Sequence, residues 1–182
     1  RCMSITEVEQ HAPEIGFPQV LKGEGIAHKT EAGAVKLNLI SSTETSAAAQ
    51  SMSASSFLVE QMIIGTVVEL LVGVINDPAH GFVLTLGAGG TLTELLDDAV
   101  SLLIPASDKQ VLAALDSLRI APVLHGYRGK PAADIRSILT AIRAVQDFTI
   151  AHRSDLQEIE INPLLCTQTH AVAADALLRR SL

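Results

Sequence analysis

Apolar positions recur along this chain in two rhythms that separate helical from extended stretches. Ile135, Ile138, Leu139, Ile142 and Val145 return every three or four residues, which predicts a helix over residues 132–152. A helix is also expected over residues 5–15, ended by Gly16 and Pro18. Another should start at the hydroxyls of residues 41–43, carry Glu44 in its first turn and run to about residue 53. Shorter helical patterns fall near 109–118 and 92–97. Extended patterns occupy 19–22, 34–40, 57–61, 67–75, 81–86 and 100–104. Toward the end, residues 156–161 alternate, with Glu158 and Glu160 on one face and Ile159 and Ile161 on the other. A turn is expected at Asn162-Pro163, then a second short strand over 171–174 and a tail over 176–182. Strands crowd the middle and helices flank them without regular alternation. That order suggests an α+β chain with mixed sheets rather than a doubly wound fold.

Composition narrows the picture. Hydrophobic residues make up 48% of the 182 residues, yet there is no Trp, one Tyr and four Phe, so the core must be aliphatic. The length suffices for one sizeable core or two small lobes. A net charge of −7 argues against general nucleic-acid binding, which needs a basic face. It leaves room for a small phosphate ligand, because a few amides and one Lys can hold that. The two thiols, Cys2 and Cys166, have neither metal-ligand spacing nor a disulfide framework, so a reducing, cytoplasmic setting is expected. The apolar run over 67–75 is short and interrupted by Glu69, and no leader pattern opens the chain. A soluble protein with no membrane partner is expected.

Several pieces could carry chemistry. Lys22 ends an apolar strand and opens a glycine-rich loop, where a mobile ammonium can reach a phosphate or simply snorkel from a buried strand end. The loop lacks the order of a P-loop. His28, inside it, is of a type that can accept a proton or a phosphoryl group, although most loop histidines do neither. Glu69 in an apolar run is costly unless it is paired, faces a cleft or lies on the solvent face. Residues 59–62 could offer backbone groups and an apolar wall to a purine. GAGG before a helix start exposes amides that attract anions, although Asp97 and Asp98 follow it. Tyr127-Arg128-Gly129-Lys130 reads as a connecting turn. A closing hairpin would bring Glu160, Asn162 and Asp175 together, a set of hard oxygens suited to Mg²⁺ held with help from phosphates. The plain alternative is a solvated acidic strand edge.

In order and spacing, GFPQVLK, HKTEAGAVKL, FLVEQMI, VELLVGVINDPAHGF, LGAGGTLTELLDD and EIEINPLL with a later Asp are similar to one family. The chain resembles the ATP-grasp, nucleotide-binding portion of NDP-forming acyl-CoA synthetases, the superfamily of ADP-forming acetate–CoA ligase and succinyl-CoA synthetase. The resemblance runs from Gly16 to about Leu178. It implies an α+β ATP-grasp fold of two lobes with ATP or ADP and Mg²⁺ between them. It implies that Lys22 holds nucleotide phosphates under a glycine loop over residues 28–33. Glu60, Gln61, Met62 and Ile63 fall where the family receives adenine, and Glu69 where it holds the ribose. Asn162 and Asp175 match metal-binding positions, with Glu160 close by. His28 matches a possible second phosphate acceptor in the acyl-CoA synthetase branch.

The implied reaction joins an acyl carboxylate to CoA at the expense of ATP, through acyl phosphate and phosphohistidine. Within it this chain would exchange a phosphoryl group with ATP. The CoA-binding and phosphohistidine-bearing ligase domains are absent, and the connection between Leu39 and Phe57 is shorter than is common. Residues 1–182 are therefore expected to be an ATP-grasp domain from the C-terminal part of a larger synthetase, or a subunit needing a partner, and inactive alone. Two alternatives remain: an ATP-grasp carboxylate–amine or –thiol ligase without phosphohistidine, and a non-catalytic nucleotide-binding assembly domain.

Overall fold

The computed structural model describes residues 1–25 and 33–181, which form two compact units, Arg1–Ile63 and Ile64–Leu182. In the first unit, Ser4 caps α1 (Ile5–Ile15) by accepting the Glu7 N–H at 3.2 Å, while the Glu7 carboxylate takes the Met3 N–H at 2.8 Å. The same Ser-x-x-Glu logic starts α2 (Ser42–Ser51). Ser41 accepts the Glu44 N–H at 3.2 Å, and Glu44 accepts from Ile40 at 2.9 Å. Both helices pack on a three-stranded sheet in the order β2 (Val35–Leu39), β1 (Gln19–Gly23), β3 (Phe57–Gln61). Leu21, Phe57 and Val59 meet Val8 and Ala49 in the core. Gln19 is wholly buried, and its amide donates to the Ala12 carbonyl and accepts from the Thr45 hydroxyl at 3.1 Å. With both ends of the amide satisfied, this burial costs little and ties β1 to both helices.

The second unit is built on a six-stranded sheet in the order β6-β5-β4-β7-β8, with a further strand, β9, also pairing β7. The strands are β4 (Val68–Asp77), β5 (Gly81–Ala88), β6 (Ala99–Leu103), β7 (Leu156–Cys166), β8 (Ala171–Ala173) and β9 (Ala176–Arg180). One face is covered by α4 (Asp108–Ser117), α5 (Ala121–Leu124) and α6 (Ile135–Ala151). Leu70, Val72, Val74, Leu84 and Leu86 from the sheet meet Val111, Leu115, Leu124, Ile138 and Ile142. The core is aliphatic, as the composition requires.

The structure corrects four expectations. The sheets are not of mixed direction: every ladder among the described strands is antiparallel. Tight reversals explain this, as at Asp77, whose carboxylate accepts the N–H groups of Ala79 and His80 at 2.9 and 2.8 Å and turns β4 into β5. Asn162-Pro163 is not a turn but an irregularity inside one 11-residue strand, where Leu70 and Val72 of β4 face Leu164 and Ile161 of β7. Proline has no N–H for the ladder, so the strand accommodates it as a bulge. The chain reverses later, where Thr167 donates its N–H to the His170 carbonyl at 2.8 Å. Residues 176–180 are a strand rather than a tail. Arg179 pairs with Glu158 at 3.1 Å and Arg180 with Asp155 at 2.7 Å, fastening β9 along β7. Finally, the helix after GAGG is brief. A 3₁₀ turn over Gly90–Leu92 leads into α3 (Thr93–Leu96), which ends where Asp97 takes a φ of 43°.

Candidate functional site

Candidate residues gather in both units. In the first, Lys22 and Glu60 project from adjacent strands: Lys22 pairs in register with Leu58, and Val20 with Glu60. Their side chains therefore share the face opposite the core residues Leu21 and Val59. The Lys22 ammonium meets the Glu60 carboxylate at 2.6 Å, with the lysine side chain only 11% exposed. Gln61 ends β3, and the Met62 N–H is engaged by the Pro18 carbonyl at 3.0 Å, just before Ile63 closes the unit. His28 lies outside the described residues, as does most of the glycine loop expected over residues 28–33.

In the second unit, four separate sequence segments converge. The Asn162 side-chain oxygen accepts the Gly90 N–H at 2.8 Å. The Asn162 backbone N–H donates to the Asp175 carbonyl at 3.2 Å, and the Asp175 carboxylate accepts from its neighbour Ala176 at 3.0 Å. Glu160 sits two residues before Asn162 on β7 and opposite Leu177 of β9. The Gly89 N–H donates to the Glu69 carbonyl at 2.9 Å. A Cβ on Gly89 would run into the backbone of Leu70 and Leu71, and one on Gly90, at a φ of 76°, would strike the Glu69 carboxylate. The backbones of Asn162 and Asp175 are thus adjacent, brought together by a bulge and a third strand instead of an Asn-Pro turn. Partial desolvation against the glycine turn raises the Glu69 carboxyl above the usual range, although much of the side chain stays exposed.

Sequence reasoning missed two residues. Asp98, 8% exposed, accepts the N–H groups of Arg119 and Ile120 at 2.8 and 3.0 Å, while its own carbonyl accepts from Ala88 at 2.9 Å. It anchors the segment that follows the glycine turn to the α4–α5 junction. No spacing signal marks such a contact across the fold. Gly89 is the second: the GAGG string is expected to expose amides to an anion, whereas Gly89 and Gly90 give theirs to Glu69 and Asn162. The Tyr127–Lys130 stretch is a turn, its Lys130 N–H closing on the Tyr127 carbonyl at 3.0 Å.

The oxygens suit a hard cation. An amide oxygen has two lone pairs, of which Gly90 uses one at Asn162, and a carboxylate has further acceptor sites. Among the described residues no group of three or more His, Cys, Asp or Glu side chains could hold a metal ion. The set fits Mg²⁺, which keeps waters and takes other oxygens from phosphates, rather than an ion needing an all-protein cage.

Each unit is an antiparallel sheet carrying helices, and in the second a glycine turn is bonded through its N–H groups to Glu69 and Asn162, which defines an α+β class of domain. Residues 1–179 match the ATP-grasp domain model, and the chain belongs to that family. Among its relatives is Acetate–CoA ligase [ADP-forming] I subunit beta of Pyrococcus furiosus, 28% identical over 182 residues, covering 93% of this chain and 78% of that protein. The fold also matches dinucleotide forming Acetyl-coenzyme A synthetase 1 of Ca. Korarchaeum cryptofilum in complex with coenzyme A, Ca-AMPCP and HgCl+. The TM-score is 0.86 at 27% identity, covering 99% of this chain and 84% of that one. A second structure of that synthetase holds coenzyme A and Mg-AMPPCP, with its phosphohistidine segment pointing towards the nucleotide binding site. It matches with a TM-score of 0.83 at 27% identity, covering 97% of this chain and 83% of that one.

Proposed function

We propose that this chain is the nucleotide-binding and phosphoryl-transfer part of an ADP-forming acyl-CoA synthetase. The reaction is acyl carboxylate, CoA and ATP to acyl-CoA, ADP and phosphate. The observation that carries the reading is the junction of Asn162 with Asp175 and the Gly89–Gly90 turn, in a chain matched to the family over residues 1–179. Asn162 and Asp175, with Glu160 nearby, would hold Mg²⁺ together with the nucleotide phosphates. When bound, that ion supplies charge neutralisation for the transferring phosphoryl group. Lys22 adds a fixed positive charge to the phosphates. Residues 61–63 receive the base, and Glu69 accepts from ribose hydroxyls.

The phosphoryl group passes to a phosphohistidine borne by another part of the same enzyme or by a partner subunit, which also contributes the CoA and acyl sites. His28 is the second acceptor in this scheme. A cytoplasmic location accords with Cys2 and Cys166, both free and buried, and no described helix is long and apolar enough to cross a membrane. The test is calorimetry of the full chain with Mg-ADP, followed by acyl- and CoA-dependent ADP release once the partner domains are supplied. Failure to bind Mg-ADP would overturn the proposal.

A further inference from the structure

Glu60 belongs to the stretch expected to receive adenine, yet its carboxylate is spent on Lys22. The two side chains lie diagonally across the β1–β3 ladder on one face of the sheet, 2.6 Å apart, and Lys22 is 9% exposed. A charge so deeply placed is costly to leave without a counterion. We infer that Glu60 is a positioning residue that acts through Lys22: it is an internal counterion that helps keep the ammonium in place until a nucleotide phosphate arrives, and it does not read the base. The inference rests on the reading that Lys22 meets nucleotide phosphates, and it deepens that reading by assigning Glu60 to the phosphate end of the ligand.

Its consequences are distinct from those of a base contact. A carboxylate that accepted from the adenine amino group would favour adenine over hypoxanthine, which carries a carbonyl there, and its removal would relax the preference. An internal counterion leaves that preference alone. Its loss penalises the nucleotide-free chain, and a phosphate-bearing ligand relieves the penalty because the phosphate takes the carboxylate's role. Adenosine, with base and ribose but no phosphate, relieves nothing.

The test uses the full chain, with Glu60→Gln, Lys22→Met and the double variant, in thermal melts and in calorimetry with Mg-ADP, Mg-IDP and adenosine. Glu60→Gln should lower the nucleotide-free Tm by about 5 °C. Mg-ADP should raise the Tm of that variant more than it raises the wild type. In the Lys22→Met background, Glu60→Gln should leave the Tm unchanged, the signature of a role exerted through the lysine. The ratio of Mg-ADP to Mg-IDP affinity should be the same in wild type and Glu60→Gln. A tenfold change in that ratio, or an equal Tm loss with and without Lys22, overturns the inference while leaving the proposed function standing. A wild-type chain that binds neither nucleotide overturns both.

Discussion

Asn162 and Gly90, 72 positions apart, are joined by a 2.8 Å hydrogen bond from the glycine N–H to the asparagine side-chain oxygen. That bond fixes the amide's orientation and leaves one lone pair of the oxygen for another donor or a cation. Asn162→Ala removes both the acceptor and the ligand. Mg-ADP affinity measured by calorimetry should fall by about 10- to 100-fold. Unchanged affinity would mean that the oxygen serves only the glycine turn.

Asp175 separates binding from folding. Its backbone carbonyl, not its side chain, receives the Asn162 N–H at 3.2 Å, and the residue is exposed. Asp175→Asn should therefore weaken Mg-ADP binding by tenfold or more while moving stability by only about 0.5 kcal/mol. A parallel loss of Tm and affinity would reduce the residue to a structural role.

Gly89 has no room to change. Ala there would force its Cβ into the backbone of Leu70 and Leu71, which cannot swing aside as a side chain would. Gly89→Ala should cost about 2–3 kcal/mol in urea unfolding. A chain that tolerated it without loss would contradict the close approach of turn and strand.

Asp98→Asn tests the missed carboxylate. An amide can accept from only one of the Arg119 and Ile120 N–H groups and turns its own NH₂ toward the other. A loss of about 2 kcal/mol is expected in denaturant unfolding. Full stability in the variant would mean the two bonds contribute little.

Much of the fold was legible because local chemistry and tertiary structure agree. The Ser-x-x-Glu starts of α1 and α2 are local signals, and α6 carries its own apolar stripe. The alternation at Glu158–Ile161 also survives, with Ile159 and Ile161 packed against the core and Glu158 paired with Arg179. What escaped reading depends on partners distant in sequence. Strand β9 is exposed along its whole length, so no alternation marks it, and it exists only because β7 offers it an edge. In the candidate site, Asn162 and Asp175 were readable as hard oxygens near one turn. The bond from Gly90 was not, since nothing in the intervening residues signals it.

The alkaline limit should report Cys166. Its thiol is wholly buried on β7, and burial pushes its pKa from the usual 9.0 up to about 12. The folded chain thus holds this proton more tightly than the unfolded one. The associated stability is fully present below pH 9 and is lost as pH rises through about 12. Thermal melts between pH 8 and 11 should show this decline, with a shallower slope in Cys166→Ala. Equal slopes would mean that other groups govern the alkaline transition.

The irregularity at Asn162-Pro163 also resets which way β7 faces. Before it the odd-numbered Ile159 and Ile161 point into the core; after it the even-numbered Leu164 and Cys166 do. One strand can thereby display acidic groups along its first half and feed the interior with its second. The spacing of this segment is consequently less negotiable than its composition. Gaining or losing a single residue there would turn Leu164 and Cys166 toward solvent, whereas a surface loop would absorb the same change.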